Sequence, residues 1–344
     1  MQYDLKFHLL KRFIGYSSLE DSASEIHEIC PAEYSDGTAA FHLPNQLSKV
    51  VKLHSETNWE KETSFIHPTQ LKHFPTMAYQ LENVTFTKDA IYKRNFRRKF
   101  TSGTSNSEYK FIESSTPLAL PSSLSGATYF GHWLRDDVPT YMLSKQYGLP
   151  ISMAKNGWPD KDYYANVFQQ NWQNHFVGHA DRVTVFSDYS QNSSKVQRYR
   201  QLRDQVRNAH NPKHQNHIAY LKRRHDGIHS RIINNERTLI SELRNRDVKI
   251  IDMTTNDIHT TISELLNAKL VITTEGSQVN HVLYTLRDDG GILLMVPPRI
   301  FTNIHKGWTD ALGMDYGFVV GDDVDDKSFN INISELLHTL DMML

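Results

Sequence analysis

Between His217 and Pro297 short apolar runs alternate with helical patterns, and this alternation constrains the fold more than any other feature of the chain. The runs occupy residues 218–221, 248–253, 270–272 and 292–296. Between them, residues 235–246, 258–268 and 278–286 read as helical, with Leu239, Ile240 and Leu243 on one face of the first. Short apolar runs separated by helices predict βαβ units. Such units build a parallel sheet with right-handed crossovers and helices over both faces. Ligands of these sheets bind beyond the carboxyl ends of the strands. Two polar clusters fall at such ends: Arg223 and Arg224 after the first run, and Thr273 to Ser277 after the third.

The chain's 344 residues allow two domains, on a prior of roughly 100–200 residues each. Hydrophobic residues are 39% of the total, so a sizeable core can form. Lys and Arg number 38 against 39 Asp and Glu, a formal charge of −1. That balance argues against a nucleic-acid partner, and any anionic ligand must be met by local clusters. One cysteine, Cys30, excludes an intrachain disulfide and a cysteine-based zinc site. No run approaches the roughly 18 apolar residues of a transmembrane span. Residues 1–13 carry Lys6, Lys11 and Arg12 among short apolar pairs, without an apolar h-region or a small-residue cleavage site. A cytoplasmic protein, peripheral at the inner face of a membrane through partners, is the expectation.

The first hundred residues show strand-like segments at 38–42, 49–54 and 84–86, and a basic run of Arg94, Arg97, Arg98 and Lys99 before a polar loop at 101–108. Residues 118–125, rich in Pro and Ser, read as loop. Residues 150–153 and 182–186 read as strands, and 163–172 as a helix. The α/β alternation therefore resumes over 125–190, which predicts a second sheet domain. Residues 195–208 form a helix-like basic run, and 208–215, with Pro212, are the best linker. A strand at 316–320, an acidic loop from Asp322 to Asp326 and an amphipathic helix over 331–344 close the chain.

His132, Asp136 and Thr140 recur at four-residue intervals and share one helix face, with Pro139 expected to kink or restart the helix. His132 and Asp136 are the candidate acid–base pair, since either can take a proton from an attacking hydroxyl. The alternative is a structural hydrogen bond. Arg223, Arg224 and Arg231 offer planar forks of donors suited to phosphate, or are ordinary surface charge. Gly276 and Ser277, opening a helix, present amides that favour an anion. Glu275 can accept from sugar hydroxyls, or is a carboxylate favoured by a helix start. Asp322 to Asp326 reads as a solvated loop or as an Asp-x-Asp metal element. There is no Gly-x-Gly-x-x-Gly, no Gly-Lys-Ser/Thr loop and no Gly-x-Ser-x-Gly elbow to support dinucleotide, P-loop or serine-hydrolase chemistry.

Three blocks in order resemble glycosyltransferase family 61. The first is similar to N-Y-x-H-W-L-x-D-x-L-P and reads Tyr129-Phe130-Gly131-His132-Trp133-Leu134-Arg135-Asp136-Asp137-Val138-Pro139. The second sets Tyr220-Leu221-Lys222-Arg223-Arg224 before Arg231-Ile232-Ile233-Asn234-Asn235-Glu236, against Y-I-S-R-x…R-x-I-x-N-E. The third runs from Ala268 to Tyr284, with Glu275 where the family often has His, Asn280 in place of Thr and His281 in place of Asn. The resemblance spans about residues 125–300 and implies an inverting, metal-independent transfer from a nucleotide sugar, with no cofactor. The lack of a membrane anchor resembles the bacterial, surface-polysaccharide members.

The expected architecture is an α/β chain of two Rossmann-like domains facing a cleft, of the GT-B type, with a β-containing N-terminal extension. Residues 1–212 carry the extension and the acceptor side, 213–330 bind the donor, and 331–344 form a C-terminal helix. Arg223 and Arg231, with the amides of Gly276 and Ser277, would hold the diphosphate of a UDP-type donor. Glu275 and Asn280 would touch nucleoside or sugar. Asp136, oriented or replaced by His132, would be the base toward a glycan or lipid-linked glycan acceptor. The rivals are a catalytically silent nucleotide-sugar-binding scaffold and a metal-dependent transferase using the acidic loop.

Overall fold

The computed structural model describes residues 16–67, 70–100, 108–153, 157–224 and 231–344. The expectations for residues 1–13 and for most of the 101–108 loop lie outside the described residues. The chain is mixed α/β, and its contacts divide it into two compact units. One comprises residues 1–33 and 74–199, and the other 34–73 and 200–344. The division thus falls at 199/200 rather than 212/213, and residues 34–73 go with the later part of the chain.

The first unit is built on eight strands: β1 (Glu25–Cys30), β2 (Thr76–Phe86), β3 (Ala90–Lys93), β4 (Phe96–Lys99), β5 (Lys110–Ser114), β6 (Leu118–Leu120), β7 (Leu149–Pro150) and β8 (Phe176–Ser187). The order is β4-β3-β2-β8-β6-β7, with β1 pairing β2 and β5 pairing β8. The long strands β2 and β8 run antiparallel, as do β1–β2, β2–β3 and β3–β4. Among the described residues only β5–β8, β6–β8 and β6–β7 are parallel. This is not the second Rossmann-like sheet expected from residues 125–190. The physical reason is connection length: β2 to β4 follow one another through short turns, which join antiparallel neighbours, whereas parallel ones need a crossover. Residues 118–120, expected as loop, form a buried strand whose three side chains pack in the core. The basic run Arg97, Arg98 and Lys99 lies on β4, at an end of the sheet order, where charge discourages further strand pairing.

The second unit holds the sheet expected from the apolar runs. Its strands are β9 (Ile218–Lys222), β10 (Lys249–Asp252), β11 (Leu270–Thr274), β12 (Gly291–Val296) and β13 (Asp315–Val320), in the order β10-β9-β11-β12-β13, all parallel. Helices Glu236–Asn245 and Ile333–Met342 lay Leu239, Leu243, Leu336 and Leu340 against Tyr220, Ile272, Leu293, Met295 and Val319. The alternate residues Val271, Ile292, Leu294 and Phe318 are buried too, so both sheet faces are covered.

Residues 34–73 group with this unit, and strands Glu33–Asp36 and Gln70–His73 form a two-stranded sheet of their own. Of the strands expected at 38–42 and 49–54, only isolated bridges form, Phe41 to Gly317 and Leu53 to Phe301. The Phe41 amide donates to the Tyr316 carbonyl at 2.9 Å, and the Val320 amide donates to Gln46 Oε1 at 2.6 Å. The buried Glu62 carboxylate accepts from the Asn303 amide at 2.7 Å.

Candidate functional site

The His132 block is helical but not regular. A short turn, Phe130–His132, passes into a π-turn, Trp133–Asp137, and then into helix Val138–Ser144. Pro139 near the start of that helix has no N–H to give back to Arg135, four residues earlier. The Arg135 carbonyl accepts instead from the Tyr199 hydroxyl at 3.0 Å. The restart expected at Pro139 is therefore present, and a side chain from helix Ser193–Ala209 completes the missing backbone bond.

The irregular turn places a buried ionic network. Asp136 Oδ2 lies 3.0 Å from His132 Nδ1 and 2.8 Å from Arg135 Nη2, and Oδ1 accepts from Lys195 Nζ at 3.0 Å. Burial works to raise the Asp136 carboxyl, but Arg135, Lys195 and the His132 hydrogen bond outweigh it and hold the group well below the usual range. A carboxylate so stabilised is a weak proton acceptor. His132 is the more exposed partner, at 22% of its side chain against 8% for Asp136. If Nδ1–H donates to Asp136, the Nε2 lone pair is left to act on a substrate. Thr140, the third residue of the expected face, turns its hydroxyl to Asp188 Oδ2 at 2.7 Å.

Asp188 is the second anion of the network. Arg198 grips both of its carboxylate oxygens, at 2.6 and 2.9 Å, and Thr76 donates at 2.9 Å. Lys195, fully buried, also donates to the Asp188 carbonyl at 2.8 Å. Asp137 belongs to a separate knot: its carboxylate accepts from the amide and hydroxyl of Ser123 at 3.2 and 2.6 Å. Sequence reasoning missed Lys195, Asp188, Arg198 and Asp137. Their residue types carry no mark of burial, and the first three lie far along the chain from His132.

In the second unit, β9 and β11 end where the two arginines meet Gly276. Gly276 has φ +151°, and a Cβ there would lie 2.8 Å from Arg231 Nη1, 3.2 Å from Arg223 Nη1 and 2.6 Å from Gln278 Oε1. Arg231 Nη1 donates to the Glu275 carbonyl at 2.9 Å and lies 2.7 Å from Glu275 Oε2. Glu275 therefore faces Arg231, with His305 Nε2 at 3.9 Å from its other oxygen. Asn280 is buried and donates to the Ser277 carbonyl at 3.1 Å, closing the turn. Among the described residues, nothing accepts from the amides of Gly276, Ser277 and Gln278. The structure thus brings Arg223, Arg231, Glu275, Gly276, Ser277 and Asn280 together, while Arg224 turns aside to donate to the Met253 carbonyl at 2.7 Å. Gly276→Ala should cost about 1–3 kcal/mol, read by chemical denaturation, because it forces a side chain into a strained backbone region against two guanidinium groups.

The acidic run is committed to protein partners. Arg299 pairs with both oxygens of Asp323, at 2.7 and 2.8 Å, and with Asp326 at 2.7 Å. Lys49 pairs with Asp322 at 2.8 Å, and Asp325 accepts from the amides of Lys327 and Ser328. Among the described residues, no three His, Cys, Asp or Glu side chains are grouped to hold a metal ion.

A fully parallel, helix-covered sheet with basic and glycine residues converging at its carboxyl end belongs to the α/β class that binds ligands at that end. Residues 130–293 match the model of a family described as Glycosyltransferase 61, a span that takes in His132 and Asp136, the two arginines and the Glu275 turn. The match supports glycosyltransferase family 61 for this chain, and with it a glycosyltransferase. No curated protein matches the chain. No helix among the described residues is long and apolar enough to cross a membrane.

Proposed function

We propose that the protein moves a sugar from a nucleotide-sugar donor to a glycan hydroxyl with inversion. The observation that carries this reading is the convergence of Arg223 and Arg231 on Gly276, within the family-matched span. Two guanidinium groups beside unshared amides suit a diphosphate, whose negative charge grows as the glycosidic bond breaks. Glu275 holds Arg231 in place, and Asn280 holds the turn. The acceptor oxygen bonds to the anomeric carbon while the bond from that carbon to the phosphate oxygen breaks. The nucleoside diphosphate leaves, and the hydroxyl proton passes to His132 Nε2. Asp136 orients the imidazole rather than taking the proton itself.

The commitment of Asp322 to Asp326 to Arg299, Lys49 and backbone amides favours arginine over a metal as the diphosphate's counter-charge. A UDP-type nucleotide, a bacterial surface polysaccharide, a glycan or lipid-linked glycan acceptor and a cytoplasmic, membrane-peripheral setting belong to the same reading. Calorimetry with uridine diphosphate tests it. Arg231→Ala and Arg223→Ala should each weaken binding by more than the ~1 kcal/mol of an exposed ion pair. Unchanged affinity in both variants would remove the clamp.

A further inference from the structure

Glu275 occupies an arginine that a phosphate would need. It is a buried residue, 4% exposed, and its Oε2 lies 2.7 Å from Arg231 Nη1. The contact is close but poorly aligned. Nη1 donates to the Glu275 main-chain carbonyl at 2.9 Å, while Oε2 makes no hydrogen bond among the described residues. Arg231 Nε, also buried, makes none among them either. Arg299 shows the contrast, laying its fork on both oxygens of Asp323 at 2.7 and 2.8 Å. A bidentate pair of that kind is the stronger and better oriented arrangement.

A second donor faces the other oxygen of Glu275. The Trp308 indole N–H, which can only donate, meets His305 Nδ1 at 3.2 Å. In the neutral His305 ring the proton is therefore on Nε2. Nε2 lies 3.9 Å from Glu275 Oε1, beyond a hydrogen bond but within a small rotation of the carboxylate. A phosphate drawn to Arg223 and Arg231 meets the Glu275 carboxylate as well, and like charges in a poorly solvated site repel strongly. The carboxylate cannot be left unpaired, since a buried charge without a partner is costly. Glu275 yields Arg231 only by finding another donor, and His305 is that donor.

From this geometry we infer that Glu275 is a movable counter-anion for Arg231. It pairs with the guanidinium when no phosphate is bound and turns to His305 Nε2–H when one arrives. By returning, it speeds the departure of the nucleoside diphosphate. Glu275 is a positioning residue that acts through Arg231. The inference rests on the donor reading above and adds the control of product release.

Calorimetry on the full chain with inorganic pyrophosphate and uridine diphosphate tests it. Glu275→Gln keeps the shape and removes the competing charge, so both anions should bind about tenfold more tightly. The unliganded variant should melt lower, because Arg231 loses its counter-charge. Uridine diphosphate should also become a stronger product inhibitor of transfer. Damage to the fold alone would weaken binding, the opposite sign. His305→Phe removes the second donor and should weaken both anions by about tenfold. Combined with Glu275→Gln it should have no further effect. Unchanged or weaker affinity in Glu275→Gln overturns the inference. So does an effect of His305→Phe that persists in the Glu275→Gln background. Should Glu275→Gln not fold, unchanged affinity in His305→Phe overturns it alone. Arg231→Ala keeps the two readings apart. Where it weakens uridine diphosphate binding and Glu275→Gln does not tighten it, the counter-anion fails and the donor reading stands. Where Glu275→Gln tightens pyrophosphate and uridine diphosphate binds no better than pyrophosphate, the nucleotide reading fails alone. Neither anion binding to either form sinks both.

Discussion

Replacing Asp188 by Ala should lower the protein's stability by about 3–5 kcal/mol, the cost of removing one partner from a buried charge pair. Arg198 is 5% exposed and grips both Asp188 oxygens, so the substitution leaves a buried guanidinium without its counter-charge, with only the Ser194 and Pro139 carbonyls to accept from it. Thr76 loses its acceptor in the same step, and that unmet donor adds to the penalty, whereas the Thr140 hydroxyl keeps the Asp136 carbonyl at 2.8 Å. Asp188→Asn keeps the shape and one acceptor oxygen but not the charge, so it should fall between Ala and the native residue. Thermal and chemical unfolding would measure the series. A loss within about 0.5 kcal/mol, ordinary for a surface position, would show that the network is not what holds this part of the chain.

The same carboxylates set the response to acid. Asp188 is buried, which raises its carboxyl, but Lys195 and Arg198 overcome this and lower it; Asp136 is lowered by Arg135 and Lys195. A group whose folded pKa is depressed stabilises the fold fully above its unfolded value, near 3.9 for Asp, and loses that contribution as pH falls through the folded value. Their share of stability is therefore intact at neutral pH and disappears only in acid below about pH 4.

What could be read from the sequence follows from where charge and apolarity carry information. Strands β9, β11 and β12 were legible because a strand buried on both faces is a nearly unbroken apolar run, as in Leu270-Val271-Ile272. Strand β8 was only half legible: Gly178, His179, Asp181 and Arg182 interrupt its twelve residues, and only its latter half reads as a strand. The turn at Glu275 to Asn280 was legible as a strand end followed by Gly. The pairing of Glu275 with Arg231 was not, because contact across more than forty residues of chain leaves no local pattern. Lys195 shows the limit most clearly. It opens a stretch with Arg198, Arg200, Arg203 and Arg207 that reads only as a helix-like basic run, yet Lys195 is wholly enclosed and Arg203 is 1% exposed. Sequence records the charge; only packing decides which charges face water.

The second large effect concerns His132. His132→Gln should reduce transfer by about 10²–10⁴-fold, the usual contribution of general acid–base catalysis, with uridine diphosphate affinity unchanged. Loss of activity in that variant alone could reflect damage to the network, since His132 Nδ1 touches both Asp136 and Arg135. His132→Asn separates the two causes. Its side-chain amide sits near the position of Nδ1 and can still donate to Asp136, but nothing takes the place of Nε2. If Nε2 receives the proton, Asn should be as inactive as Gln while keeping near-native stability. Asp136→Asn should act differently, because it removes the partner that fixes Nδ1–H and leaves Arg135 and Lys195 facing an uncharged amide. It should lose both stability and rate. The readout is release of nucleoside diphosphate from a donor in the presence of acceptor, set beside the melting temperature of each variant. Near-native turnover in His132→Asn would show that the proton leaves by another route and that the His132–Asp136 contact serves only the fold.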